Sequence, residues 1–75
     1  MHKLEKTFSL NQLTYFVSVA SHLSYRKAAQ ALGVSQPTLT TQINSLEQLL
    51  GMTIFERSRS GTHLSPQGRA LLADA

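Results

Sequence analysis

The sequence predicts a mostly α fold carrying one small β-hairpin. Three observations lead to that reading. Apolar residues recur at helical spacing through residues 9–50. Gly33 and Gly51 stand where two of the periodic stretches stop, as helix C-termini favour. After Gly51 the period changes, and a polar run separates two short apolar ones.

The first helix opens at Ser9. Ser9 and Gln12 have capping-box spacing, and Phe8 with Leu13 has hydrophobic-staple spacing. Residues 1–7 are polar and expected to fray. Leu10, Leu13, Phe16, Val17 and Ala20 form an apolar stripe ending near His22. Tyr15 and Val19 are expected on the outer side, as plain surface or as a subunit contact.

The stretch from Ser24 to Gly51 organises the chain. Ser24 reads as an N-cap, and Ala28, Ala29 and Leu32 fall on one side of a short helix. Small residues there allow close helix crossing. Gly33 supplies a left-handed turn, and Val34 one apolar contact across it. Ser35 caps the next helix. Pro37 sits in its first turn, where a missing N–H is no loss. The Ser35 hydroxyl is therefore expected to accept from the N–H of Thr38. Leu39, Ile43, Leu46 and Leu50 line the inner stripe, with Leu49 beside it. Pro37, Thr41, Asn44, Ser45 and Gln48 fall opposite. That outer face is polar yet uncharged until Glu47 at its margin. Short neutral donors and acceptors suit the edges of base pairs. Two helices joined by a tight turn, the second presented outward, form a helix-turn-helix.

Beyond Gly51, Met52, Ile54 and Phe55 read as a short strand. The polar run Arg57-Ser-Arg-Ser-Gly-Thr reads as a turn with Gly61 at positive φ. His63 and Leu64 form the returning strand. So short a hairpin must pack on the helices, through Phe55 and Leu64, as a wing. Ser65-Pro66 then caps a further helix over Gln67–Ala75, with Leu71 and Leu72 on one side. The expected architecture is a winged helix-turn-helix: a three-helix core with a wing over residues 9–64, and the start of a linker helix over 65–75. That last helix has no C-cap, which reads as a truncation point.

Composition narrows the function. At 75 residues there is room for one domain. The absence of cysteine excludes disulfides and thiolate metal sites, and fits a reducing compartment. No apolar run reaches the length of a membrane span, and the N-terminus lacks the apolar core of a signal peptide. The net charge of +3 is modest, but its placement is informative. Arg26 and Lys27 precede the second helix of the pair, and Arg57 and Arg59 follow it. Cations around a neutral helix resemble a phosphate-contacting frame. His2, His22 and His63 have no ligand spacing, so no metal is expected. The serines lack a base and an orienting group for nucleophilic catalysis, so an enzyme is not expected. Met52 reads as a gap-filling core residue.

Residues 9–72 resemble the N-terminal DNA-binding domain of LysR-type bacterial transcriptional regulators. The resemblance rests on an ordered series. Leu13, Phe16 and Val19-Ala20 match the first helix. Ser24, Ala28-Ala29, Leu32 and Val34-Ser35-Gln36-Pro37 match the helix-turn-helix. Gln42-Ile43, Leu46-Glu47 and Leu50-Gly51 match the recognition helix. Phe55-Glu56-Arg57, Leu64-Ser65 and Gly68 match the wing and linker. The resemblance implies sequence-specific binding of double-stranded DNA at imperfect dyad sites near promoters. It implies a homodimer or tetramer paired through the linker helix, in the cytoplasm with the nucleoid. It also implies a small-molecule effector bound by a separate C-terminal domain, and no cofactor in this chain. By the family pattern Gln36, Pro37, Thr40 and Thr41 reach the major groove, and Arg57 the backbone or minor groove. Many members carry Arg where this chain has Thr41, and Ser65 replaces a more common Thr.

The expected DNA-binding set is Arg26, Lys27, Ser35, Gln36, Pro37, Thr38, Thr40, Thr41, Asn44, Arg57 and Arg59. Gln36 is the leading base reader, since its amide can pair with adenine. Arg26 and Lys27 flank the groove and are assigned to phosphate. The alternative function is a winged helix used only for protein–protein contact.

Overall fold

The computed structural model describes residues 9–59 and 61–74. Among the described residues four helices and one hairpin follow in order: α1 Leu10–His22, α2 Tyr25–Leu32, α3 Gln36–Leu50, β1 Phe55–Ser58, β2 Gly61–Leu64 and α4 Pro66–Asp74. The strands pair antiparallel, with Phe55 opposite Leu64 and Ser58 opposite Gly61. None of the described helices is long and apolar enough to cross a membrane.

Each helix starts on a serine. The Ser9 hydroxyl accepts from Gln12 N–H at 3.2 Å, and the Gln12 side chain accepts from Ser9 N–H at 3.0 Å. This is the expected capping box; its staple partner Phe8 lies outside the described residues, as do residues 1–7. Ser24 accepts from Lys27 N–H at 3.1 Å, and Ser35 from Thr38 N–H at 3.2 Å. Gly33 and Gly51 close α2 and α3 at φ 72 and 68. Helix α1 ends at His22 as expected, but its left-handed cap was not marked in the sequence: Leu23 itself takes φ 52 there, without a glycine.

The core gathers Phe16 and Val19 from α1, Tyr25, Ala28 and Ala29 from α2, and Leu39, Ile43 and Leu46 from α3, closed by Ile54 and Phe55. Val19 is fully buried, which corrects its placement on the outer side of α1, and Tyr15 also packs on the core. Leu10 and Val17, assigned inward, are exposed. The buried arc of α1 runs through Val19, Phe16, Ala20 and Leu13, which at about 100° per residue leaves Leu10 and Val17 just past its edge. Leu32, Val34, Leu50, Leu64 and Leu71 pack around the core as expected, while Leu49 and Leu72 are exposed.

The hairpin begins later than expected. Residues 52–54 are not strand, and β1 includes Arg57 and Ser58. Ile54 and Phe55 are adjacent and both buried. One face of a strand cannot accept consecutive side chains, and Ile54 accordingly stands outside the strand, which begins at Phe55. The Glu47 carboxylate holds this junction, accepting from Ile54 N–H at 2.8 Å and Phe55 N–H at 3.2 Å through one oxygen. Gly61 has the expected positive φ, but it and Thr62 belong to β2, and Thr62 is buried. Met52 lies half-buried at the margin rather than in the core.

Helix α4 is fastened at the base of the wing. Ser65 N–H donates to Ile54 O at 2.8 Å, and its buried hydroxyl donates to Thr53 O while accepting from Gly68 N–H at 2.9 Å. Gly68 is buried against the wing base, where an added Cβ would run into Ile54 O. The helix begins at Pro66, one residue before the expected Gln67.

Candidate nucleic-acid interface

Helix α3 buries Leu39, Ile43 and Leu46 and turns the opposite face outward. Gln36, Pro37, Thr38, Thr41, Asn44, Ser45 and Gln48 are all exposed, while Thr40 is half-buried at the margin. No charged side chain lies on that exposed row, because Glu47 turns toward the wing base. The face is therefore neutral, polar and unobstructed.

The members of the expected set have different duties. The Ser35 hydroxyl accepts the Thr38 N–H and donates to Thr38 Oγ1 at 2.8 Å. Ser35 and Thr38 thus cap the helix with each other. Arg26 and Lys27 are exposed in the first turn of α2, and Arg57 and Arg59 are exposed on the wing. Asn44 borders a separate open depression with Glu47, Gln48 and Met52, toward the far end of α3.

Tertiary structure brings three expected residues to one cleft. Arg26, Gln36 and Arg57 line it together with Ser24, Tyr25 and Thr62. The N-terminal ends of α2 and α3 both open there, and each carries the positive end of a helix dipole. Such an end favours anions, phosphate included. Lys27, Arg59 and Asn44 are not among its lining residues.

Two residues outside the expected set shape this region. The first is Glu47, which ties the last turns of α3 to the start of the wing. The second is Tyr25, whose ring lies under the Arg57 guanidinium, 3.9 Å from ring centroid to the guanidinium carbon. A cation held over an aromatic face is attracted by the ring quadrupole. Burial pushes the Tyr25 phenol above its ordinary value, and Arg57 opposes the rise. The phenol therefore stays neutral at physiological pH. No single-sequence signal marks this pair, since α3 and the whole turn intervene between its members. Among the described residues no cluster of His, Asp and Glu could hold a metal ion.

A neutral outward helix, paired through a tight turn and flanked by a hairpin, defines a winged helix-turn-helix module. Residues 10–69 match the family described as the bacterial regulatory helix-turn-helix proteins of the lysR family, and the chain belongs to that family. It is 45% identical over 75 residues to a probable hydrogen peroxide-inducible genes activator of Streptomyces viridosporus, covering 100% of this chain and 24% of that protein. It is 50% identical over 64 residues to the HTH-type transcriptional regulator TfdS of Cupriavidus pinatubonensis, covering 85% of this chain and 22% of that one. The chain thus spans about a quarter of the length of these curated relatives. Among solved structures, the BenM DNA-binding domain in complex with catB site 1 DNA superposes with a TM-score of 0.85 at 36% identity, over 89% of this chain and 75% of that one. Full-length CbnR complexed with its target DNA superposes with a TM-score of 0.84 at 42% identity, over 89% of this chain and 23% of that one.

Proposed function

We propose that this chain binds double-stranded DNA, with the N-terminal half of α3 in the major groove and the wing against the adjacent backbone or minor groove. The observation that supports it most is the neutral exposed face of α3 between two exposed cationic pairs, Arg26 with Lys27 and Arg57 with Arg59. Gln36, Pro37, Thr40, Thr41 and Asn44 are the base-facing residues of this reading. Ser35 and Thr38 hold the helix end that presents them, and the four cations contact phosphate.

Residues 9–64 act as the recognition module and residues 65–75 as the start of a linker helix. The complete protein regulates transcription from imperfect dyad sites as a dimer or tetramer. Its effector is a small molecule bound outside this chain, and this chain needs no cofactor. It works in the cytoplasm, as a binding module rather than a catalyst. Similarity to regulators solved on DNA supports this reading.

Fluorescence anisotropy against a mixed-sequence duplex and a selected dyad duplex tests it. Binding should weaken as salt rises, because bound phosphates release counterions. Arg57→Ala should weaken binding to both duplexes alike and reduce the salt slope by about one unit. Absence of binding to either duplex at low salt would favour the protein-contact alternative.

A further inference from the structure

We propose that Tyr25 is a positioning residue for DNA binding, fixing the Arg57 guanidinium over the cleft so that a preorganised cation meets the phosphate. The inference rests on the DNA-binding reading above and deepens it. Arg57 projects from a two-stranded hairpin, a support that alone leaves a long side chain free to wander. Here a connected series of rings ends that freedom. Phe16, fully buried in α1, lies 5.8 Å from Phe55 at a tilt of 52°. Phe55, the first residue of β1, meets Tyr25 edge-on at 6.1 Å and 77°. Tyr25 is itself only 7% exposed, and its outer face carries the arginine.

The ring series runs from the centre of the core to the one wing cation that lines the cleft. Each member comes from a different element, so the arginine is referenced to the whole core rather than to the wing alone. The guanidinium over the ring stays exposed, so the N–H donors it does not direct to the Tyr25 phenol can meet a phosphate oxygen. An arginine that is already ordered loses less side-chain entropy on binding than a free one. Arg59, at the turn, does not share this support among the described contacts.

The test combines two measurements on the intact chain. Affinity for a mixed-sequence duplex is measured at several salt concentrations for Tyr25→Leu, Tyr25→Phe, Arg57→Ala and the Tyr25→Leu/Arg57→Ala double variant. Circular dichroism melts confirm that each is folded at the assay temperature. Tyr25→Leu should bind about two- to tenfold more weakly, in line with the ordering cost of one long side chain. Tyr25→Phe keeps the ring face and should stay within about twofold of the unsubstituted chain. In the Arg57→Ala background, Tyr25→Leu should cost nothing further. An equal loss with or without Arg57 would overturn the proposal, since it would mean that Tyr25 acts only through the fold. The second measurement needs no DNA. The Arg57 side-chain methylene protons should show a ring-current shift that persists in Tyr25→Phe and vanishes in Tyr25→Leu. Unshifted protons would overturn the positioning while leaving DNA binding intact. Failure of the unsubstituted chain to bind any duplex would overturn both.

Discussion

Gln36 and Ser35 are neighbours and both exposed, yet only Gln36 has a side chain to spare. The Ser35 hydroxyl is occupied on both sides by Thr38. Pro37 presents ring carbons alone, so Gln36 is the first polar side chain of α3 able to meet a base. Gln36→Ala should cost about 1–3 kcal/mol on the preferred site and little on mixed-sequence DNA. Parallel titrations on the two duplexes decide this, and equal losses would assign Gln36 to backbone positioning. The caps were legible in the sequence because they are local: Ser9, Ser24 and Ser35 each bond a backbone N–H three residues on. Tyr25 and Arg57 were not paired in advance, because their contact exists only once α2 and the wing have packed. Nor did anything in the sequence mark Leu23 for a left-handed backbone.

At the scale of elements, the wing depends on two residues outside it. Glu47 belongs to α3, but its carboxylate supplies the acceptor for two N–H groups where the hairpin begins. Glu47→Ala would leave both without a partner in a partly buried place. Each such group costs about 1–3 kcal/mol, so urea denaturation should show a loss in that range or above it. Glu47→Gln keeps a carbonyl acceptor and should lose less; equal losses would show that charge, not hydrogen bonding, matters there. Gly68 serves from the other side. An alanine in a helix normally gains about 1 kcal/mol over glycine. Here its Cβ would press on Ile54 O, and overpacking of this kind costs about 1–3 kcal/mol. Gly68→Ala should therefore lower the melting temperature, and an unchanged or raised one would contradict the contact. The hairpin itself was visible in the sequence through Gly61 and its flanking apolar residues. Its start was not, because the N–H groups of Ile54 and Phe55 are taken by Glu47, seven and eight residues earlier.

Across the whole molecule, the pattern of apolar residues predicted the three-helix core but misplaced one helix face. The expected stripe on α1, Leu10, Leu13, Phe16, Val17 and Ala20, spans about 120° of arc, and the core covers only one side of it while extending past it to Val19. Leu10 and Val17 remain outside, while Val19 closes the core. This changes which residues could pair two copies of this chain: Val19 cannot, and Leu10, Val17, Leu23, Leu49 and Leu72 are the exposed large apolar groups among the described residues. Leu72 is the exposed large apolar residue of α4 among the described side chains, and burying one leucine contributes about 1.5–3 kcal/mol. Association costs about 4–15 kcal/mol in lost freedom. The 75-residue chain should therefore sediment as a monomer at micromolar concentration. A tight dimer without DNA would place the contact on α1, at Leu10 and Val17, and substituting both with serine should abolish it. The fastening of α4 has a mechanical meaning as well. Ser65 and Gly68 grip Thr53 and Ile54, and Ile54 is gripped in turn by Glu47 of α3. Nine residues at about 1.5 Å each make α4 a lever of about 13 Å with its fulcrum at the wing base. A force on its outer end would therefore reach Thr53 and Ile54 first, in the segment that joins α3 to the hairpin.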